Sequence, residues 1–348
     1  MIDKKYCMSS YLALRYVEKK DVDFCSQYHY KHFELLSDEK RDLVRSAEDI
    51  HFSIERQVAH LQKSGAKIGI LLSGGMDSAI LASYLSGCDA YTFRFLNGEY
   101  QKDELKRAEY YAKHYKLKLH YVDILWDKIA DNIRPIMIEK GGPVHSIEPQ
   151  IMQGALEAKR DGINLMIIGD GSDYVFGGMD QLLSKDWKFD DFLKRYIYVD
   201  PFEILKEPVS VQYVFERYRK NDYIDFIKFL DIVATEESYG SYSNAFSAAD
   251  LKYYDPYERM RMVEPLDLDR IRSGESKYLI RELFKLRYPE CPVPEKLPMP
   301  RPVDHYFSNW KGPNRNEFRK DINMAMYSGN QKWLMWCLEK FLDMIEEA

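Results

Sequence analysis

Several features that mark common classes of protein are missing from this chain of 348 residues. Its cysteines are Cys7, Cys25, Cys88, Cys291 and Cys337. Because they form no CxxC pair, the sequence favours neither a zinc site nor a disulfide framework, and a reducing compartment is expected. No stretch approaches the roughly 20 apolar residues of a membrane span, and no secretory signal is evident. We therefore expect a cytoplasmic protein with no membrane partner.

The chain also lacks an excess of basic charge. It carries 50 Lys and Arg against 56 Asp and Glu, a formal net charge of −6. A nucleic-acid-binding protein usually shows a basic stripe or a high isoelectric point, so no nucleic-acid partner is expected. Apolar residues make up 45% and aromatic residues 14% of the chain, which is enough for a well-packed globular core.

The pattern of apolar residues divides the chain into three regions. Residues 1–66 form an N-terminal segment, in which 11–17 predicts a strand and 38–63 has the apolar spacing of a helix. Residues 67–179 alternate short apolar runs with helical stripes. From residue 180 to 348, helical spacing dominates and β-branched runs are scarce. We expect this last region to be mainly helical and to complete the active site.

The middle region predicts an α/β fold. Its expected strands are residues 67–72, 91–95, 118–122 and 165–168, and its expected helices are 77–86, 101–115 and 149–160. Strands that alternate with helices in this order favour a parallel sheet with right-handed crossovers.

The strongest chemical signal is SGGMDS at residues 73–78, between a buried strand and a helix. Adjacent glycines let phosphate oxygens approach the backbone, and a helix N-terminus favours an anion. Asp77 would repel a bare phosphate, so its presence indicates a divalent cation such as Mg²⁺. The string lacks the Lys and the spacing of a Walker loop. It resembles the pyrophosphate loop (PP-loop) of the N-type ATP pyrophosphatases, which cleave ATP between the α and β phosphates.

A second loop, GDGSDYVFGGM at residues 169–179, also follows a predicted strand. Ligands of parallel sheets collect at the carboxyl ends of the strands, so Asp173 is expected near the same metal as Asp77. Taken alone, a stretch rich in Gly and Asp is typical of an ordinary turn. Its pairing with the first loop indicates a shared site.

Together the two loops resemble the synthetase domain of the glutamine-dependent asparagine synthetases and the related β-lactam synthetases. In that family the second loop reads approximately GEGSDExFGG, whereas this chain has GDGSDYVFGG. Weaker similarity continues at 247–249 (SAA), 255–257 (DPY) and in the helix from Lys277 to Phe284, where Arg281 is the Arg of a KxxxR pattern. The resemblance implies a PP-loop fold, similar to the adenine nucleotide α-hydrolases, and an AMP-forming ligase that uses ATP and Mg²⁺.

The resemblance also implies roles for individual residues. The pyrophosphate of ATP would be held by Ser73, Gly74, Gly75, Asp77 and Ser78. The adenine and ribose would contact Leu71, Phe95 and Gly169. Mg²⁺ would be bound by Asp77 and Asp173. Tyr174 replaces an acidic residue of the family and has no assigned role.

Two further residues are candidates for catalysis. Asp170 stands where asparagine synthetases have Glu, near the attacking nitrogen, and a carboxylate there could act as a general base. Lys296 falls where the family has a Lys that stabilises pyrophosphate and the adenylation transition state. The alternative for Lys296 is an ordinary solvated surface position.

Three other polar residues have two readings each. Arg301 is a candidate partner of a substrate carboxylate or of a phosphate, because Arg binds both in bidentate fashion. His145 either faces the acceptor site or is structural. Arg94, on a predicted strand, either contacts ATP or pairs with a carboxylate.

One departure from the family concerns the source of nitrogen. Asparagine synthetases of this class begin with a glutaminase domain whose nucleophile is an N-terminal Cys, and here that position is Ile2, with only 66 residues before the sheet. We expect the nitrogen donor to be free ammonia, ammonia from a separate glutaminase subunit, or a substrate amine. The acid is expected to be a small-molecule carboxylate.

Three hypotheses follow from the sequence. The leading one is an ATP-dependent amide-forming ligase. The second is an RNA-modifying PP-loop enzyme, against which the acidic composition and the lack of a CxxC pair count. The third is a non-catalytic ATP-binding or scaffold protein, against which the presence of both Asp77 and Asp173 counts.

Overall fold

The computed structural model describes residues 1–96, 101–295, 299 and 301–347. Its strands are β1 (Asp42–Val44), β2 (Ile68–Leu71), β3 (Asp89–Phe95), β4 (Lys118–Ile124), β5 (Leu165–Ile167), β6 (Arg219–Lys220), β7 (Tyr223–Ile224), β8 (Lys252–Tyr254) and β9 (Met260–Met262). Its helices are α1 (Lys4–Leu14), α2 (Ala47–Lys63), α3 (Met76–Ala82), α4 (Lys102–His114), α5 (Trp126–Lys140), α6 (Glu148–Arg160), α7 (Gly171–Val175), α8 (Asp180–Leu183), α9 (Phe189–Tyr196), α10 (Pro201–Ile204), α11 (Gln212–Glu216), α12 (Phe226–Phe229), α13 (Thr235–Ala248), α14 (Leu268–Arg272), α15 (Tyr278–Arg287), α16 (Val303–Tyr306) and α17 (Gly329–Glu347). A π-helical turn (Leu230–Ala234) joins α12 to α13.

A five-stranded sheet in the order β4-β3-β2-β5-β8 forms the centre of the molecule, and its strands are all parallel. The prediction of an α/β fold with a parallel sheet is therefore confirmed, as are the four predicted strands. The chain passes from β2 to β3 on one side and later returns to place β5 on the other side. This reversal opens a crevice beyond the carboxyl ends of β2 and β5, where parallel sheets bind ligands.

Helices cover the sheet and bury its apolar side chains. Helix α6 packs against β3 and β4, and α13 packs against α6. Helix α3, which follows β2, contacts both β2 and α15. Ile70, Val122 and Met166 are fully buried beneath these helices. Strands buried on both faces explain the continuous apolar runs in the sequence.

The fifth strand, β8, comes from the region that was expected to be mainly helical. Residues 252–254 pair with β5, and the Ile168 N–H donates to the Tyr254 carbonyl at 3.0 Å. Three residues are too short a run to show strand periodicity, so this strand could not be recognised from the sequence. The helical region thus completes the sheet at the edge next to the second loop.

The predicted strand at 11–17 is wrong. Residues Tyr11–Leu14 form the last turn of α1, and the helix ends at Arg15, whose φ of 69° is left-handed. Leu12, Ala13 and Leu14 are all fully buried. A helix buried on every side shows no 3.6-residue periodicity, so its apolar run resembles that of a strand.

The predicted helix at 38–63 begins later than expected. Helix α2 starts at Ala47, where the Ser46 hydroxyl accepts a hydrogen bond from the Asp49 N–H at 3.1 Å. Such a cap satisfies one of the free N–H groups of the first turn. Before it, β1 pairs in parallel with β9. Within the described ranges, no helix combines the length and the apolar character that crossing a lipid bilayer requires.

Candidate functional site

The first loop leaves the end of β2 and turns into α3. The Ser78 hydroxyl accepts the Ser73 N–H at 3.0 Å, and the two hydroxyls lie 2.9 Å apart. Gly74 packs against α4, where an added Cβ would lie 2.5 Å from the Glu104 carbonyl oxygen. The Arg107 guanidinium donates to the Gly74 carbonyl at 2.8 Å. Loop and helix are therefore locked together, and only glycine fits at position 74.

The second loop leaves the end of β5 and is tied to the first. The Ser172 hydroxyl donates to Asp77 Oδ1 at 2.6 Å. The Gly171 N–H donates at 2.7 Å to Asp255 Oδ2, and the Tyr257 hydroxyl donates to the Asp77 carbonyl at 3.0 Å. Asp255 is 3% exposed, and burial raises its pKa to about 7. The DPY segment at 255–257 thus supports both loops.

Lys277 joins the two carboxylates that were predicted to bind metal. Its Nζ lies 2.8 Å from Asp77 Oδ2 and 2.5 Å from Asp173 Oδ1. The side chain is 2% exposed, and the backbone has a left-handed φ of 53°. Burial lowers the pKa of Lys277, but Asp173 and then Asp77 raise it, and the net direction is upward. An added Cβ at Gly178 would collide with Asp173 and Lys277, so the cluster also requires glycine there.

Lys277 is a candidate site residue to which the sequence alone assigns no role. It is the first residue of the KxxxR pattern. Arg281 of the same pattern donates to the Ser276 carbonyl at 2.7 Å and so fixes the start of α15. The feature of the sequence that points to Lys277 is its place just before a helix, in a segment that resembles the family.

Both loops border one cavity of about 280 Å³. The predicted site residues that line it are Leu71, Ser73, Gly74, Gly75, Asp77, Ser78, Gly169, Asp170 and Asp173. Lys277 and Arg301 line it as well. Phe95 is buried and is not among the lining residues, whereas Phe93 on the same strand lines the cavity. Side chains two positions apart lie on the same face of a strand, so Phe93 and Phe95 share a face. Phe95 lies farther along the strand than Phe93 does.

Asp170 stands at the carboxyl end of β5, where Ser238 donates to its Oδ2 at 2.8 Å. Burial, followed by the nearby Asp255 carboxyl, raises the pKa of Asp170 well above its ordinary value. A carboxylate with a raised pKa binds a proton more tightly than a free aspartate does. Lys296, the other predicted catalytic residue, lies outside the described residues.

The remaining predicted candidates have clear positions. Arg94 binds Asp123 through Nε at 2.6 Å and Nη2 at 3.0 Å, so it pairs with a carboxylate. His145 is 6% exposed, and its Nε2 faces the guanidinium groups of Arg15 and Arg301.

The donor set fits Mg²⁺ only with help from a ligand. No group of three or more Asp, Glu, His or Cys side chains is placed to hold a metal within the described parts of the chain. Asp77 and Asp173 already share one cation, the Lys277 ammonium, so a single small cation can reach both. Mg²⁺ is typically bound by one or two carboxylates, water and substrate phosphates.

Comparisons with known proteins agree on the family. The sequence model for the family described as asparagine synthase matches residues 50–264. The chain is 25% identical over 187 residues to asparagine synthetase B (glutamine-hydrolyzing) of Escherichia coli strain K12, covering 47% of this chain and 32% of that protein. It is 26% identical over 160 residues to the putative asparagine synthetase 1 (glutamine-hydrolyzing) of Methanocaldococcus jannaschii, covering 43% and 28%. The chain thus spans about a third of the length of these curated relatives.

Solved structures share only a distant likeness. The U34-tRNA thiolase NcsA from Methanococcus maripaludis aligns at 11% identity with a TM-score of 0.30, over 86% of this chain and 81% of that one. NMN synthetase from Francisella tularensis aligns at 13% identity with a TM-score of 0.30, over 74% and 99%. These scores are too low to support any functional argument.

Proposed function

The chain belongs to the asparagine synthase family, and from that premise we propose that it is an ATP-dependent, AMP-forming ligase. In the proposed reaction, an oxygen of the acid's carboxylate attacks the α-phosphorus of ATP, and the bond from that phosphorus to the β-phosphate breaks. Pyrophosphate leaves and an acyl-adenylate remains. A nitrogen nucleophile then attacks the acyl carbon, AMP leaves, and an amide forms.

The observation that carries this proposal is the joining of two loops across one cation. Asp77 follows β2, Asp173 follows β5, and Lys277 reaches both from the start of α15. All three residues border the same cavity as the paired glycines of the first loop. A polyphosphate bound against this loop would lie beside a site that accepts a divalent cation.

Asp77 and Asp173 would hold Mg²⁺ together with phosphate oxygens of ATP. The ion would supply charge neutralisation for the phosphates as pyrophosphate leaves. Ser73 and Ser78, which line the cavity, would offer their hydroxyl groups to the same phosphates. Leu71, Gly169 and Phe93 would form the apolar wall beside the adenine and ribose.

The second half-reaction needs a base, because a nitrogen nucleophile loses a proton as it becomes an amide. Asp170 belongs to the second loop, accepts a hydrogen bond from Ser238 of α13 and lines the cavity. Its raised pKa suits a group that takes a proton and then returns it to solvent. Lys296 is proposed to stabilise the departing pyrophosphate. Ammonia, free or from a separate glutaminase, or a substrate amine would be the nitrogen donor.

Product analysis of ATP turnover tests the proposal. Purified protein is incubated with ATP, Mg²⁺, ammonium and single carboxylic acids, including amino acids and uronic-acid sugars, and the phosphorus-containing products are identified by ³¹P NMR. We expect AMP and pyrophosphate in equal amounts, formed only with particular acids. Formation of ADP and phosphate, or AMP release that no acid stimulates, would contradict the proposed reaction.

A further inference from the structure

A second cavity, which we call the outer pocket, lies on the outer side of α13. It has a volume of about 290 Å³. Its walls come from residues 31–34 of the N-terminal segment, Glu139 of α5 and the α13 residues Gly240, Ser243, Asn244 and Ser247. Residues 31–34 lie outside residues 50–264, which the family model matches. The outer pocket is therefore built partly from a segment that the family match does not cover.

Helix α13 separates the outer pocket from the cavity between the two loops. On one side of the helix, Ser238 donates to Asp170, and Tyr242 lines that cavity. On the other side, Gly240 and Asn244 line the outer pocket. A helix turns once in about 3.6 residues, so these two pairs of positions lie on opposite faces of α13. A ligand of the outer pocket is therefore distinct from the nucleotide and the acid of the proposed ligase.

The Asn244 side chain lines the outer pocket without a hydrogen-bond partner. The residue is 6% exposed, and its amide makes no hydrogen bond with any residue that the structure describes. An amide carries two N–H donors and an oxygen that accepts. Leaving such a group unpaired on burial costs about 1–3 kcal/mol, so buried polar groups are normally paired. An unpaired amide at a pocket wall therefore favours a ligand that both donates and accepts hydrogen bonds.

The imidazole of His32, which also lines the outer pocket, has a second unpaired polar atom. Its Nδ1 lies 3.2 Å from Glu236 Oε1, and its Nε2 is buried with no hydrogen-bond partner among the described residues. When the Nδ1–H group donates to the carboxylate, Nε2 of the neutral ring is an acceptor. The pocket thus offers an imidazole nitrogen in addition to the Asn244 amide.

Gly240 leaves the floor of the outer pocket open. Glycine in the interior of a helix costs up to about 1 kcal/mol relative to alanine. Among the described residues, an added Cβ at Gly240 would have one near neighbour, Phe33 Cβ, at an ordinary contact distance of 3.6 Å. Packing within the protein therefore does not require glycine at this position. The glycine instead keeps space for a ligand between α13 and Phe33.

The charged side chains of the outer pocket already have partners or lie in water. Lys31 forms an ion pair with Glu139. Glu34 is exposed, so water and salt screen its charge. The unpaired groups, the Asn244 amide and the neutral ring of His32, carry no formal charge. These features favour a neutral polar ligand over an anion or a cation.

Phe33 adds an apolar surface to these polar groups. Its ring packs edge-on against Tyr239, with the centroids 5.6 Å apart and an angle of 78° between the planes. This contact holds the ring in place at the pocket wall. A sugar ring has a matching arrangement, because it carries an apolar C–H face and a rim of hydroxyl groups that donate and accept hydrogen bonds.

We propose that the outer pocket binds one neutral sugar ring, either a free monosaccharide or a unit of a glycan. The hydroxyl groups of the sugar would pair with Asn244 and His32, and its C–H face would lie on Phe33. The volume of about 290 Å³ is at the lower end of ligand pockets and suits a single ring. This site goes beyond the proposed function, because neither requires the other.

The first test detects sugar binding by saturation-transfer difference NMR. The whole protein is titrated with D-glucose, D-galactose, D-mannose and N-acetyl-D-glucosamine, and with their methyl glycosides, with and without Mg²⁺ and α,β-methylene-ATP. We expect at least one sugar to bind under both conditions, with the strongest saturation on the C–H protons of one ring face, where Phe33 would contact it. Glycine, ammonium chloride and sodium phosphate, at constant ionic strength, should not displace the bound sugar.

Variants then test whether the sugar lies in the outer pocket. Asn244→Leu should bind the sugar at least about tenfold more weakly, since the sugar loses its hydrogen bonds to the amide. It should melt at or above the wild-type temperature, because the fold gives this amide no partner. The matched control is Asn132→Leu, since Asn132 is also 6% exposed but donates to the Pro149 carbonyl at 3.0 Å. This control should melt lower and keep sugar binding.

Gly240→Leu tests the pocket without changing a polar group. The added side chain would fill the space beside Phe33, so sugar binding should be lost. Leucine is a better helix former than glycine, so this variant should also melt at or above the wild-type temperature.

A panel in which no sugar binds, or binding that either pocket variant retains unchanged, would overturn the inference. So would displacement of the sugar by α,β-methylene-ATP or by a charged probe. A lower melting temperature for Asn244→Leu would show that the amide has a structural role, with the same consequence. Binding of the free sugars alone identifies a monosaccharide, and equal binding of the methyl glycosides identifies a glycan unit. Sugar binding without acid-dependent AMP formation would leave this site standing and reject the ligase.

Discussion

Two cations, Lys277 and Arg301, line the same cavity in opposite electrostatic settings. Lys277 lies between two carboxylates, Asp77 and Asp173, at 2.8 and 2.5 Å. Arg301 has the imidazole of His145 and the hydroxyl of Ser146 as its hydrogen-bond neighbours, and the ion pair of Arg15 with Glu237 lies nearby. Around Lys277, two carboxylates therefore face one ammonium group. Around Arg301, two guanidinium groups face the one carboxylate of Glu237.

This difference in charge indicates which kind of ligand each side of the cavity favours. A surplus of carboxylate favours a divalent cation together with the phosphates that it carries. A surplus of guanidinium favours an anion. The two walls together fit a reaction in which a metal-bound nucleotide meets an anionic acid. Four experiments test or sharpen this comparison, beginning with the largest expected effect.

Asp77→Asn should abolish acid-dependent pyrophosphate release. The substitution keeps the shape and the hydrogen bond from Ser172 but removes the charge that would bind Mg²⁺, so we expect a loss of at least about 10²-fold. Activity is measured as pyrophosphate release. Asp190→Asn, at an exposed position in α9, serves as the control and should keep wild-type activity. Full activity in Asp77→Asn would remove this residue from the metal site.

Asp170→Asn should separate the two half-reactions. Loss of a general base typically slows a step by roughly 10²-fold or more. We expect amide formation to fall by about that factor, while acid-dependent exchange of labelled pyrophosphate into ATP continues. An equal loss in both assays would show that Asp170 acts in adenylation or in folding rather than as the base of the second step.

Lys277→Met should destabilise the metal-free protein, because two carboxylates lose their shared cation. The carboxylates are 25% and 31% exposed, so solvent reduces the effect, and we expect a loss of about 2 kcal/mol in the free energy of unfolding. Urea unfolding is measured with EDTA and again with Mg²⁺ and ATP. Lys285→Met, exposed on α15, is the matched control.

Mg²⁺ and ATP should recover part of the stability that Lys277→Met loses, since the metal supplies a cation to the same oxygens. If the variant is as stable as wild type in EDTA, the Lys277 contacts contribute little. If Mg²⁺ and ATP widen the difference, the metal does not use these two carboxylates.

The last experiment concerns Asp255, which supports the second loop. Its folded pKa of about 7 lies above its ordinary value because the group is buried. Between about pH 4 and pH 7 the folded state keeps a proton that the unfolded state has released, so stability falls as pH rises through this window. Asp255→Asn removes the dependence.

Urea unfolding at about pH 5 and about pH 8 measures this difference. Wild type should lose about 1–3 kcal/mol more than Asp255→Asn between the two values. Glu264→Gln, an exposed site, should behave as wild type does. Parallel pH dependence in wild type and Asp255→Asn would show that Asp255 is ionised in the fold throughout the range.

The sequence predicted the parts of the site that are encoded locally. The first loop stands between an apolar run and a helix within a dozen residues, so strand, loop and helix could be read together. Asp170 and Asp173 were found for the same reason, because they directly follow β5. Short-range patterns of this kind depend on neighbouring residues and not on the rest of the fold.

Contacts between distant segments could not be predicted in the same way. Lys277 reaches Asp77 across 200 positions, and Arg15 reaches His145 across 130. The spacing of neighbouring residues in the sequence does not reveal such a pair, because the two residues come together only when the chain folds. The strand expected at 11–17 failed for a related reason: full burial of α1 is a tertiary property that its apolar run does not reveal.

The most direct test of the central claim follows one oxygen atom. The acid that supports turnover is labelled with ¹⁸O in its reacting carboxyl group, and the products are analysed by mass spectrometry after amide formation. We expect one labelled oxygen in the phosphate of AMP, since the acid attacks the α-phosphorus and leaves that oxygen behind. Label in inorganic phosphate, or AMP without label, would contradict the acyl-adenylate and with it the proposed ligase.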